Sequence, residues 1–316
     1  MLETFDSFGG HHFLEKERVD PSNALTVMED AGALFDVWYP ASGYNDHGNY
    51  EVPVVGRGKN EGVPLHKYVI REDTGDVLGL HSHSYAENPS GYMFLGKIAE
   101  MMFPSTTTSC TLFGVGEKVA LTQDIVAPLD LGNNDWIQPQ ICWISSFNGT
   151  WKTSAYSLTH RLFCQNQLIG EVPLIGVKHT RNHDQLLEMR VAVLAQAVER
   201  AETLKRMALT LKDQEFTDAA FNGLTAQLLP APDPDAHGKT VASYERKLFS
   251  CWERWRKERA EFGPGNRWMA FNAVQGAEQH DINGAVRGRR NRDRALEKAI
   301  ENKTPLTDKA LALLTV

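Results

Sequence analysis

The spacing of hydrophobic and polar positions changes along the chain, and each change marks a different kind of element. Val119, Leu121 and Ile125 alternate with Lys118, Ala120, Thr122 and Asp124. That is the period of two expected of a half-buried strand with one polar face. Gly116-Glu117 separates this run from Cys110-Thr111-Leu112-Phe113, so the two pair as a hairpin. Ile141-Cys142-Trp143-Ile144 is continuously apolar, as in a strand covered on both faces. Pro139 has no N–H to donate, which puts the start of that strand's pairing after it or at a sheet edge. Asn148-Gly149 is a strong hairpin signal, with Trp151 to Tyr156 returning. Leu158, Leu162 and Leu168 then predict a helix with Arg161 at its start.

Upstream, Ser22 to Leu25 opens a short helix, Leu34 to Tyr39 reads as a strand or apolar plug, and Gly43 to Lys59 reads as loop. Lys67 to Arg71 and Val77 to His81 flank Asp73-Thr74-Gly75-Asp76, a second hairpin, and a helix follows from Ser90 to Met102. Downstream, a short strand over Val172 to Val177 precedes a helical run from His183 to Lys212. Leu186, Met189, Val193, Ala197 and Leu204 carry its spacing. Helices over Glu215 to Leu229 and Tyr244 to Phe262 follow, and an apolar stretch from Trp268 to Ala277 packs back on the body. The predicted class is α+β: a central antiparallel β-meander followed by packed helices, with a helical C-terminal region. Pro230, Pro232 and Pro234 divide it into an α+β core over 1–230, a linker over 231–238 and a helical, partly basic region over 239–316 packed on the core.

Composition adds limits. An apolar fraction of 42% and a charged fraction of 23% are those of a globular chain. No stretch has the apolar length of a membrane span, and Met1 to Glu15 lacks the apolar run of a signal peptide, so the expected location is cytoplasmic with no membrane partner. Cys110, Cys142, Cys164 and Cys251 are far apart and form neither a zinc spacing nor a disulfide framework. A net charge of −7 argues against a uniformly basic coat but leaves room for a local basic surface.

Tests for catalytic chemistry are negative. Gly238-Lys239-Thr240 ends like a phosphate-binding loop, but Asp233 stands where its first glycine belongs and prolines replace the preceding strand. His81 and His83 share a strand face with Glu87 close behind, yet no third ligand is identified, and His160, His179 and His183 raise the same question with the same answer. There is no HExxH and no GxSxG. The expectation is no enzyme, no cofactor and no metal.

Cations near the meander offer binding chemistry instead. Lys118 lies on the polar face of its strand, Lys152 stands beside Trp151, and Arg161 follows. Lys178, His179 and Arg181 cluster before the long helix. Cations that track phosphates and a ring that stacks on bases are what a single strand requires. Arg287, Arg289, Arg290, Arg292 and Arg294, against Asp293 alone, add a dense basic run suited to phosphate contacts as an auxiliary arm. Buried Trp151 with ordinary solvated charge is the bland alternative.

Val69-Ile70-Arg71-Glu72-Asp73-Thr74-Gly75 with Leu78-Gly79 and Tyr85, Arg161-x-x-Cys164-x-Asn166, and Lys178-His179-Thr180 resemble elements of a phage- and plasmid-borne family, domain of unknown function 932. Trp268 with Asn272-Ala273-Val274 and His280-Asp281 is similar to its C-terminal element, the last pair in reversed order. The resemblance spans roughly residues 20–285 and implies a mobile-element origin, in the host cytoplasm, without a settled activity. Strands followed by a helix also resemble the core of phage single-strand annealing proteins, a fold-level analogy. The resulting expectation is a DNA-binding protein of a phage or plasmid. It would be homo-oligomeric and bind or anneal single-stranded DNA in replication or recombination. The alternative is a protein–protein factor that counters a host defence or restriction system, with a host protein as partner.

Overall fold

A computed structural model describes residues 24–39, 66–82, 91–103, 107–163, 166–169, 174–177, 190–282, 298, 300–301 and 304–315. The N-terminal helix α1 (Ala24–Asp30) leads into a three-stranded antiparallel sheet of β1 (Val37–Trp38), β2 (His66–Arg71) and β3 (Val77–Ser82), ordered β1-β2-β3. The predicted hairpin is present, and Gly75 at φ 74° supplies the left-handed residue its turn needs. Helix α2 (Met93–Met102) follows.

The centre is a larger antiparallel sheet. Its path runs β10 (Ile175–Val177), β8 (Thr153–Arg161), β7 (Trp136–Ser146), β5 (Lys118–Asp124) and β4 (Thr107–Phe113). The short β6 (Leu129–Asp130) pairs with β7, and β9 (Gln167–Ile169) with β8. The β4–β5 and β7–β8 hairpins are those expected, the latter turning at Asn148-Gly149 with Gly149 at φ 73°.

Three details correct the sequence reading. Pro139 lies inside β7, opposite Thr159, not before it. Its carbonyl accepts from Ile125 N on the β5 side, so the N–H it lacks would point where β5 has already ended. The chain past Leu158 stays extended through Arg161, which closes β8 and does not open a helix. Finally, β5 is covered on both faces, with Ala120 and Leu121 at 0% exposure.

Register fixes what each face meets. Leu121, Trp143 and Ala155 share one face, which packs with α1 and α2 in a core that includes Met28, Leu95 and Met102. Gln123 on this face donates to the carbonyls of Ala99 and Phe103 and accepts from Trp143 Nε1 at 2.7 Å, tying α2 to the sheet. Ala120, Cys142, Ile144 and Leu158 form the opposite face and pack with Phe113, Trp151 and Ile300. The small sheet rests on the β7–β8 turn: a methyl at Gly79 would overlap the Phe147 carbonyl.

The remaining helices are α3 (Arg190–Lys212), α4 (Asp218–Leu228), α5 (Gly238–Phe262), α6 (Arg267–Gly276) and α7 (Pro305–Leu314), with a π-helical segment Ala277–Ile282 continuing α6. They enclose Phe221, Trp255, Trp268 and Phe271 in one core with Leu131 and Ile137 of the sheet end. Thr217 and Asn266 cap α4 and α6 through their side-chain oxygens. No helix among the described residues is long and apolar enough to cross a membrane.

Candidate functional site: a buried polar seam between sheet and helices

The basic positions singled out from sequence are not brought onto one surface. Lys118 and Trp151 lie on the face opposite Arg161. Lys118 is 8% exposed, with its ammonium 4.7 Å from the Trp151 ring centroid and 3.8 Å from Glu301. Trp151 is buried and donates its Nε1 to Glu301 at 3.1 Å. Lys152 alone of these four is exposed. Lys178, His179, Arg181, Arg287, Arg289, Arg290 and Arg292 lie outside the described residues.

Arg161 is 2% exposed, and its environment is ionic. Register places it opposite Ile137, pointing at the helices. Its Nε and Nη2 grip Asp135 Oδ1 and Oδ2 at 2.7 and 3.0 Å, and Nη1 donates to Glu258 Oε1 at 2.7 Å. The fork geometry of guanidinium suits such bidentate pairing. The rings of Phe262, Phe163 and Trp268 lie around it, with Phe262 nearest at 4.8 Å.

Each partner is set by a different element. Asp135 sits after a tight turn in which Gly132, Asn133 and Asn134 all have positive φ, a conformation asparagine tolerates better than most side chains. Lys212, at the end of α3, donates to the Leu131 and Gly132 carbonyls and stands 3.7 Å from Asp135. Trp268 Nε1 from α6 gives Asp135 a further donor at 3.0 Å. Glu258 comes from the inner side of α5. Its Oε2 is buried with no hydrogen-bond partner among the described residues. Burial pushes this carboxyl above its usual range, against the opposing pull of Arg161. Burial likewise lowers Lys212, while Asp135 opposes the shift.

The seam continues through Asn166. Its Nδ2 donates to Asn272 O at 2.9 Å, and its Oδ1 lies 3.2 Å from His280 Nε2. Arg254, one helical turn before Glu258, pairs with Asp281 through two hydrogen bonds of 2.9 and 3.0 Å. Arg161, Asn166, Trp268, Asn272 and His280 are residues on which the sequence resemblance was based, and the fold gathers them here. Asp135, Lys212 and Glu258 were not singled out from sequence. The only hint was indirect, since a buried arginine needs a carboxylate and nothing near residue 161 in sequence supplies one.

Other candidates resolve differently. His81 packs its Nε2 against the Phe147 carbonyl, and burial lowers its pKa. His83 and Glu87 lie outside the described residues, as does Cys164. No group of three His, Cys, Asp or Glu side chains among the described residues is placed to hold a metal ion. Cys110, Cys142 and Cys251 are buried free thiols pushed up to about 12, mainly by burial, far from the range of a reactive thiolate. The seam matches cation to carboxylate and is closed by aromatic rings. As built, it locks the sheet end to the helical layer.

Comparison with known proteins adds one match. A family model described as a domain of unknown function, DUF932, covers residues 78–302, well over half of the chain. It spans the whole seam, from Asp135 to Asp281. No curated protein and no solved structure matches.

Proposed function

The chain belongs to the DUF932 family, and for this member we propose nucleic-acid binding without chemistry, in the service of a phage or plasmid. The observation that carries the proposal is the partition of its cations. Buried Arg161 is bound to Asp135 and Glu258 and buried Lys118 to Glu301, so neither is available to a ligand. Along the sequence the charge is uneven. A chain of net charge −7 carries Arg287, Arg289, Arg290, Arg292 and Arg294 within one short run. The chain on either side of that run is fixed: Asp281 pairs with Arg254, and Ile300 and Glu301 pack at Trp151.

Such clustering serves phosphate contacts, whose free energy comes largely from releasing condensed counterions. The antiparallel meander with a helical layer is compatible with the annealing-protein analogy, and a single strand is therefore the substrate to try first. The test is fluorescence anisotropy of the full chain with a labelled oligothymidine across a salt series. Binding should weaken linearly in log salt with a slope of about 0.7 per neutralised phosphate. Changing Arg287, Arg289, Arg290 and Arg292 together to Gln should flatten that slope. No binding at low salt, together with capture of a stoichiometric host protein, would replace this reading with that of a defence-countering factor.

A further inference from the structure

We propose that the outward face of α5 is a contact surface for single-stranded nucleic acid, with Phe249 as its stacking residue and Lys239, Arg246 and Lys257 as its phosphate contacts. The inference rests on the nucleic-acid reading above and assigns it a place in the fold.

The face is defined by what α5 does not bury. Cys251, Trp255, Glu258 and Phe262 face inward. On the other side Phe249 is 62% exposed, the largest value for a large hydrophobic side chain among the described residues. A single exposed apolar residue is ordinary on a protein surface. This one differs in its neighbours. By helical periodicity Lys239, Arg246 and Lys257 fall within about 80° of Phe249 on one side, in a row about 27 Å long. All three are exposed and none has an ion-pair partner among the described residues.

Neighbouring charge is largely spoken for. Arg256 pairs with Glu253, and Arg259 pairs with Asp218, which also accepts from Trp255 Nε1. Glu245 and Glu261 are exposed acidic side chains on the two flanks of this face, and neither has an ion-pair partner among the described residues. The surface therefore combines an unpaired cationic row with one accessible ring.

Charge complementarity selects a polyanion, and the ring selects its form. In a duplex the base faces are occupied by their neighbours, whereas in a single strand they are open to a phenyl group. A ring flanked by lysine and arginine is the arrangement by which proteins hold single strands without reading their sequence. Buried Trp151 cannot do this, because its indole is committed to Lys118 and Glu301.

The test compares three polymers of equal length with the full-length protein: oligothymidine, an abasic phosphodiester strand and a blunt duplex. Phe249→Ala should weaken oligothymidine binding by roughly 5- to 100-fold, as loss of one stacked base does, and leave the abasic strand unaffected. Phe249→Trp should restore it. The triple change Lys239→Glu, Arg246→Glu and Lys257→Glu should weaken both single strands and flatten the salt dependence. All four side chains are exposed, so circular dichroism should show unchanged folding. If wild type binds oligothymidine and these variants bind it equally well, the α5 assignment is wrong while the nucleic-acid reading stands. If wild type prefers the duplex, the single-strand assignment is wrong. If wild type binds none of the polymers, both readings fail together.

Discussion

Lys118 and Arg161 are both cations buried at the ends of the central sheet, yet their surroundings differ in kind. Lys118 opposes Ser146 at one end of β7, and Arg161 opposes Ile137 near the other, on the opposite face. Arg161 meets two nearly inaccessible carboxylates at hydrogen-bond distance. Lys118 has Glu301, 26% exposed and 3.8 Å away, and an indole face. Guanidinium is weakly hydrated and makes several directed bonds at once, while ammonium is a compact, strongly hydrated charge. The fold accordingly puts the arginine where the seam is fully enclosed and the lysine where one partner reaches water.

The largest expected effect breaks the enclosed end. Asp135→Ala removes both bonds to Arg161 and an acceptor of Trp268, leaving a buried guanidinium half-compensated. The expected loss is about 3–5 kcal/mol in urea unfolding. A loss no larger than that of an exposed ion pair would mean that the seam is solvated in solution. Lys118→Met keeps the aliphatic stem against Trp151 and removes one long ion pair, so the expected cost is about 1 kcal/mol. Equal costs at the two ends would mean that the two buried cations are held alike.

How much of this contrast was readable in the sequence depends on the range of each interaction. Local signals served well: Asp73 to Asp76 and Asn148-Gly149 marked turns whose glycines do take positive φ. The strand through Arg161 was misread because Leu158 and Leu162 sit four apart, as helical residues do. In a strand buried on both faces apolar spacing loses its period of two, and nothing local then separates the cases. The polar face assigned to Lys118 failed for the same reason, since coverage of that face comes from Ile300, far along the chain. The seam was half legible. Arg161 and Asn272 stood out through the family resemblance, but Glu258 is 97 residues from Arg161 and looks like one more charge on an amphipathic helix.

Within the seam, the two carboxylates sharpen the comparison. Asp135 accepts from Arg161 and Trp268, whereas Glu258 accepts from Arg161 and keeps Oε2 unpartnered among the described residues. Burial raises Glu258 above 4.5, so the folded protein holds that proton more tightly than the unfolded chain does. The stability this provides is fully present below the unfolded value and is lost as pH rises through the folded one. Glu258→Gln removes the titration. The variant should match wild type in acid and gain on it toward neutral pH, staying within about 1 kcal/mol throughout. Paired urea titrations at several pH values measure this difference. A variant that loses ground as pH rises would show that the Arg161 pair, not burial, dominates Glu258.

The smallest effect on stability belongs to Lys152, exposed one residue after buried Trp151. Lys152→Glu breaks no hydrogen bond or ion pair among the described residues, so its unfolding free energy from urea titration should stay within about 0.5 kcal/mol of wild type. Its effect on oligothymidine should be that of a single phosphate contact, a change of about 0.7 in the salt slope. Lys118→Met should do the reverse, lowering stability with no change in slope, because its ammonium already has Glu301 and Trp151 as partners. The two lysines thus separate folding from binding with one substitution each. If Lys118→Met changed the salt slope while Lys152→Glu did not, the interior end of the sheet would have to open to the ligand, and the partition of cations would be wrong.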